Sequence, residues 1–588
     1  MANVTLLETT LERTLDAWVD RFARAEWRGA TVEGWLFEGA AARRAAESRL
    51  RAAGVQATLR SAYKPLVHYF LEEVDRSLLA AVTVRYPVHP LASARRFLLE
   101  AYPLAGLLQG CALEFLPGGD DLNYQLALTL KNGQQRQASV WAPNRSHRGC
   151  TGTTLLSPTG WLRVKASAGV AANSDAAEAT DYERVLAQII DAVERHAWPA
   201  QEPHFERLDI RVDLPGIEQP LPVGHECISS SEALHEDIYF SLLEIFQRRS
   251  GRAAGDRRMQ PGQIVPDVRT GDAMPRLRIA VAGFERGPDR AGSKERAADA
   301  APLERLETAP TASRVASEMA LLRGHRFGAS SRQGRAVRGV YQRGSGPAVF
   351  ISGGQHANET SGVVGALRAA RTLAQQADSH FALVPLENPD GYALQRELAA
   401  RNPHHMLHAA RYSALGDDIE YREQQPLYER AAREQALTLS KAQLHVNLHG
   451  YPAHEWTRPL SGYLPQGFEL WTVPKGFFLI LRHHAGWQSE ARALVQQVSA
   501  ALMQVAGLAD YNARQLALYE RHAGALPFEV LHGTACAVSQ VDRPGAPVTL
   551  ITEFPDETIE GEAFRFAHTV QTEAALAAVR AWKTLARR

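Results

Sequence analysis

The stretch ISGGQHANETSG, residues 351–362, places His356 and Glu359 three positions apart just after an apolar run. A catalytic zinc takes three protein ligands of nitrogen or oxygen type and keeps one position for water. His356 and Glu359 supply two of them if the chain turns from strand to helix between them. The third should be a histidine at another strand end, and HVNLHGY, residues 445–451, offers His445 and His449. Residues at even spacing share one face of a strand, and only the last sits at its rim. His449 precedes Gly450, where a strand gives way to a turn, and is preferred. A metal-activated water also needs a general base. LITEFPDET, residues 550–558, ends an apolar strand on Glu553, an odd choice for stability alone.

An HxxE pair after a strand, then NPDGY at 388–392, then a strand-end histidine, then Thr552-Glu553 far downstream is an order that resembles the zinc carboxypeptidase family. GASSRQGRAV, residues 328–337, looks like the segment before that family's first metal strand. The resemblance covers about 315–588. It implies a C-terminal α/β domain, a mixed eight-stranded sheet with helices on both faces. It implies one zinc per chain on His356, Glu359 and His449, with Glu553 as general base. The oxyanion would be held by zinc and an arginine shortly after NPDGY. Arg401 is the best positional match, with Arg396 and Arg411 as competitors. The span from Glu359 to His449 is 90 residues (449 − 359), short for the family, which implies trimmed loops.

The chain also departs from the pattern. Other members follow with GxDLNRNF, whose Asn-Arg pair grips the substrate's terminal carboxylate. Aligned on Asp418 and Ile419, that pair becomes Glu420-Tyr421, an anion where a cation belongs. A bidentate guanidinium grip is lost there, unless Arg422 compensates. The expectation is therefore intact cleavage chemistry with a leaving group that is cationic or neutral and polar, read in part by Glu420. The family's tyrosine before the general base is missing from LPFEVLHGTACAV, and His532 is the candidate to replace its hydrogen bond. Trp456 and Arg458, just beyond His449, are candidates for substrate contact.

The elements that must position these groups fall into four segments. Residues 1–204 read as an α+β region: apolar residues at helical spacing from Leu6 to Phe22, a helix through GAAARRAAESRLRAAG, and a hairpin turning at Asn132-Gly133. Residues 205–283 read as a strand–helix–strand module whose helix opens with a capping box, Ser229 with Glu232. Residues 284–312 lack apolar periodicity and read as a linker. From 313 to 588, strands and helices alternate in the α/β manner. Arg482-His483-His484 read as a solvated helix face, and His225-Glu226 with His235-Glu236 fit no ligand spacing.

Of the 588 residues, 45% are hydrophobic and 22% charged, and the formal net charge is zero. Nothing in that balance draws the chain to nucleic acid or an acidic membrane, and no apolar window reaches membrane-spanning length. Four scattered cysteines and an N-terminus without a leader pattern point to a cytoplasmic protein, and the arginine-rich, alanine-rich usage to a bacterial one. The leading expectation is a zinc metallopeptidase or amidase acting on a peptide or small amide, in an oligomeric state the sequence leaves open. An N-acyl amino acid deacylase is the rival within the class. The rival outside it is an inert binding or scaffold protein whose N-terminal half does the work.

Overall fold

The computed structural model describes residues 3–166, 173–253, 256–271, 274–284, 300–465 and 468–586. Most of the expected linker, 285–299, lies outside them. The described end of that segment packs rather than hangs free: Leu303 and Leu306 are buried in the C-terminal core, and Thr311 caps the helix Ala312–Leu321.

At the start of the chain, strand β1 (Val4–Thr10) replaces the first turns of the expected helix, which begins only at Thr14. Leu15, Trp18, Val19 and Phe22 do form its buried face. Leu6 and Leu7 belong instead to a strand that needs a distant partner. That partner joins it to the 205–283 segment. There β2 (Arg207–Leu214), helix α1 (Ser230–Arg249), β3 (Gln263–Thr270) and β4 (Arg276–Ala282) make a sheet in the order β1-β4-β2-β3, with α1 packed on β3. The other strands before the C-terminal sheet form two further four-stranded sheets and two two-stranded ones, and Gly133 turns the expected hairpin at φ 85.

The C-terminal sheet is mixed. Its strands are β5 (His325–Ser330), β6 (Ala336–Gln342), β7 (Val349–Gly353), β8 (Phe381–Val384), β9 (Leu444–Pro452), β10 (Phe478–His483), β11 (Glu529–Leu531), β12 (Thr534–Gln540) and β13 (Val548–Glu557). Their order is β5-β6-β8-β7-β9-β13-β10-β12-β11, with β8, β7, β9 and β13 parallel. This is the expected mixed sheet with one strand more than eight. The shortest of the nine is the three-residue β11, folded back antiparallel on β12 at the edge. β7 and β9 are buried at every position, as strands covered on both faces must be. Helices α2 (Ser361–Leu373) and α3 (Pro389–Ala399) follow β7 and β8. Arg482 lies in β10, not on a helix face, because FLILRH pairs with both β13 and β12. No helix among the described residues is long and apolar enough to cross a membrane.

Candidate metal centre

The parallel strands end together, and their ends carry the chemistry. β7 stops at Gly353, and a short turn delivers His356 and Glu359 before α2 begins at Ser361. β9, paired directly with β7 in the middle of the sheet, carries His449. His356 Nδ1 lies 2.8 Å from Glu359 Oε1, His449 Nδ1 lies 2.8 Å from Glu359 Oε2, and the two Nδ1 atoms are 3.0 Å apart. Among the described residues this is the group of three side chains that could hold a metal ion. All three are buried. His445 is not near it: its Nε2 meets Ser352 Oγ at 2.8 Å and its ring stacks on Phe350.

The groups around the trio fix its orientation. His356 Nε2 faces Asp418 Oδ2 at 3.4 Å, which turns Nδ1 toward the other two ligands. Gln355 donates to the other Asp418 oxygen at 2.9 Å. Gly450 N donates to Glu359 Oε2 at 3.0 Å. A Cβ at Gly450 would meet Asp556 Oδ1 at 2.0 Å, so glycine is what lets the strand pass Asp556 there. Burial pushes the Glu359 carboxyl up, but His356, Arg411 and His449 outweigh it and hold it well below the usual range.

Glu553 is the register partner of His449 across β9 and β13. Its carboxylate makes no hydrogen bond to protein among the described residues and lines a cavity of about 310 Å³ that also contains His356 and His449. Burial and the neighbouring Glu359 charge push it up to about 8, against Arg411, His356 and Lys475. Lys475 is fully buried, its Nζ without a hydrogen-bond partner among the described residues, between the rings of Trp471 and Tyr451.

Arg401 does not enter the cavity. It sits 41% exposed near Asp267 and Glu397, just past the end of α3. The arginine in the cavity is Arg411, paired with Glu359 and 3.7 Å from Glu557 Oε1. Arg396 instead reaches the carbonyl of Ala309 at 3.2 Å. NPDGY is more than a turn: Asn388 caps α3 by accepting from Gly391 N.

Glu420, Tyr421 and Trp456 line the cavity, whereas Arg422, Arg458 and His532 do not. The Glu420 carboxylate is already taken by Arg433 and Arg543, so it offers substrate no free anion. Arg422 is buried against Asp417 and Glu429. Arg458 pairs with Glu244 at 2.7 Å, and His532 Nδ1 meets Ser499 Oγ at 3.0 Å. Phe240, Arg257 and Tyr412 are among the lining residues the sequence did not mark, and Arg482 is one it assigned to a helix face. The first two come from the 205–283 segment. Arg482 has no ion-pair or hydrogen-bond partner among the described residues, and burial and Arg543 push its pKa down.

The family model of zinc carboxypeptidases matches residues 321–424. Three solved structures are similar to parts of this chain. Carboxypeptidase A from Helicoverpa armigera is 12% identical, with 55% of this chain and 91% of that one covered, at a TM-score of 0.30. A metallo-carboxypeptidase from Pseudomonas aeruginosa, in complex with (2-guanidinoethylmercapto)succinic acid, is 14% identical over 54% and 74% of the two chains, at 0.28. A metallo-carboxypeptidase from Burkholderia cenocepacia is 14% identical over 54% and 77%, also at 0.28. No curated protein matches the chain. The matched segment lies in the C-terminal part of the chain and holds His356 and Glu359, so the resemblance to zinc carboxypeptidases is shown there and stops short of His449 and Glu553. Over that segment the chain is similar to metallopeptidase-like hydrolases.

Proposed function

We propose that the domain hydrolyses an amide or peptide bond, with one zinc ion on His356, Glu359 and His449, Glu553 as proton carrier and Arg411 as the cation for the oxyanion. The observation that carries this reading is the convergence of two Nδ1 atoms and a carboxylate, with Glu553 one strand away at the same level. Two imidazole nitrogens 3.0 Å apart, both against one ionised carboxylate, are a donor set suited to a zinc ion. Zinc in that position supplies a Lewis acid and makes water a better nucleophile at neutral pH.

The chain's own residues supply the rest. Glu553, free of protein hydrogen bonds and facing the cavity, takes a proton from the attacking water and returns it to the leaving amine. Arg411 faces the same space and stabilises negative charge developing on the carbonyl oxygen. Asp418 keeps the His356 tautomer that frees Nδ1.

The substrate end differs from the one the sequence suggests. Arg257, Arg433, Arg482 and Arg543 cluster near Tyr421 and Glu420, and only Arg433 and Arg543 have close carboxylate partners. Arg257 stands 3.9 Å from Asp418. The unmatched charge is positive, which favours an anionic group such as a carboxylate, held by Arg482 with Arg257. A peptide with a free carboxylate and an N-acyl amino acid both meet that description.

Metal analysis of the full chain with turnover of Glu553→Gln tests the assignment. Expected are about one zinc per chain in both proteins and a loss of turnover of about 10²–10⁴-fold in the variant. Undiminished turnover in Glu553→Gln removes the role of Glu553. A preparation that binds no zinc and cuts nothing supports the scaffold alternative instead.

A further inference from the structure

The cavity belongs to two parts of the chain, and α1 ties them together. Ser229 caps this helix by accepting from Glu232 N, but Glu232 does not close the expected box. Its carboxylate leaves the helix, accepts from Met406 N at 2.6 Å and holds His454 at 2.8 Å. Glu236 lies 2.9 Å from His408 Nδ1. Asp237 accepts from Leu460 N at 2.8 Å, and Glu244 pairs with Arg458 at 2.7 Å. Met406 and His408 lie on the loop leading to Arg411, and His454, Arg458 and Leu460 on the loop after His449. The acidic residues of α1 therefore fix both loops that flank the metal centre.

Phe240 projects from the same helix into the cavity. Its ring stacks on Trp456 with centroids 5.6 Å apart and planes 20° apart, and meets His408 at 4.8 Å. Strand register places this cluster away from Arg482, and Arg458, which stands 5.0 Å over the Phe240 ring, is paired with Glu244 and does not line the cavity. Phe478 pairs with Glu553, Ile480 with Ile551, and Arg482 with Thr549. Arg482 thus lies about 13 Å from the level of Glu553, at about 3.3 Å per residue. Trp456 comes after β9 has left the sheet at its other end. The cavity has a cationic end and an aromatic end with the metal centre between them, and its volume is at the small end of the range for ligand pockets.

Resting on the hydrolase reading, we propose that Phe240, Trp456 and His408, packed on one another, form one wall of a slot for one planar apolar group on the acyl side of the scissile bond. The substrates are then short molecules, aromatic at the acyl end and anionic at the other, and not polypeptide chains. α1 is the wall that stops a longer chain, because it is clamped by four acidic side chains and has no room to swing aside without leaving them unpaired. Phe240 is a specificity-determining residue supplied from outside the zinc domain.

The test uses the zinc-loaded full chain and three compounds with one leaving part: N-acetyl-leucine, N-benzoyl-leucine and the peptide Ala-Ala-Ala-Ala-Leu. Expected is a kcat/KM for the benzoyl compound about 10-fold or more above the other two. Phe240→Ala should bring the benzoyl-to-acetyl ratio close to one, and Phe240→Leu should leave it in between. Equal turnover of the pentapeptide and the benzoyl compound overturns the slot, as does an unchanged ratio in both variants. Calorimetry with a ketomethylene analogue of N-benzoyl-leucine separates this from the hydrolase reading. Binding weakened by Phe240→Ala without turnover of any compound would keep the slot and sink the hydrolase, whereas turnover with binding indifferent to Phe240 would do the reverse.

Discussion

His449 and Glu553 are register partners on adjacent parallel strands, so a metal ligand and the cavity's free carboxylate are set at one height by the hydrogen-bond ladder. No loop intervenes in that relationship. Glu359 is placed differently, by the turn before α2, and is tied to the ladder through its contacts with His449 Nδ1 and Gly450 N. The arginine that completes the site rests on neither. It hangs on the loop that α1 holds from outside, which makes it the part most sensitive to the rest of the chain.

Arg411, and not Arg401, should carry the oxyanion. Arg411→Met is expected to lower kcat by about 10²–10³-fold, the usual cost of removing one oxyanion donor. Arg411→Lys should recover part of it, since the charge returns without the guanidinium's planar fork. Arg401→Ala should leave kcat/KM unchanged, because that side chain is half-exposed and bound to Asp267. Zinc content must be measured alongside, as Arg411 also pairs with Glu359. Loss of activity in Arg401→Ala but not in Arg411→Met would reverse the assignment.

Asp418 should matter to zinc and not to the chemical step. It contacts His356 Nε2 and accepts from Glu420 N at 3.1 Å. Burial pushes its carboxyl up, and His356 more than offsets this to hold it low, so it is a standing anion behind the ligand. Asp418→Ala is expected to weaken zinc by about 10- to 100-fold in chelator competition, with turnover recovered at saturating zinc. Wild-type zinc affinity in this variant would exclude the positioning role.

Much of this centre was legible because it is local. His356 and Glu359 follow the end of an apolar strand, and His449 and Glu553 are polar residues set into apolar strands that run on to Pro452 and Glu557, a break in pattern that is visible in sequence. Arg411, one of the competitors, ranks behind Arg401 in the sequence because its place depends on Glu232 and Glu236, more than 170 residues upstream, accepting from the 406–408 backbone. Phe240 and Arg257 reach the cavity by the same long-range contact. Arg482 looked like part of a polar helix face because the run RHH hides the alternation of a strand that is buried on one side. Val4–Thr10 failed for the same physical reason: its partner, β4, lies some 270 residues away. The capping box at Ser229 was half right, since Glu232 has a stronger use at the interface.

Arg482 should set the preference for an anionic end. Arg482→Met is expected to raise KM for a carboxylate-ended substrate by about 10- to 100-fold, the range for a hydrogen bond to a charged group. The matching carboxamide should be far less affected. Glu420→Gln should shift selectivity toward the anion, because it releases positive charge from Arg433 and Arg543. Improved hydrolysis of cationic substrates by Glu420→Gln would contradict both expectations.

The contact between α1 and the zinc domain should loosen as pH rises. Burial pushes Asp237 up to about 7, against the hydrogen bond from Ser461 and the charge of Arg458. An unfolded aspartate titrates near pH 4. Between those values the folded state holds a proton that the unfolded state has lost, so stability falls with rising pH and then levels off. Glu236, pushed up to about 7, and Glu455, pushed up to about 8, both chiefly by burial, act in the same sense. His454 does too: burial lowers it, but Glu232 outweighs burial and raises it to about 9, so its contribution is full below its unfolded value and fades as pH climbs past the folded one. Thermal unfolding should therefore show a falling Tm between about pH 5 and pH 9, with a shallower fall in Asp237→Asn. The amide can still accept from Leu460 N, so the variant should fold. A Tm that rises over that range, or an identical slope in Asp237→Asn, would show that Asp237 is ionised in the folded chain. Its burial beside Leu460 would then have to be balanced by Arg458.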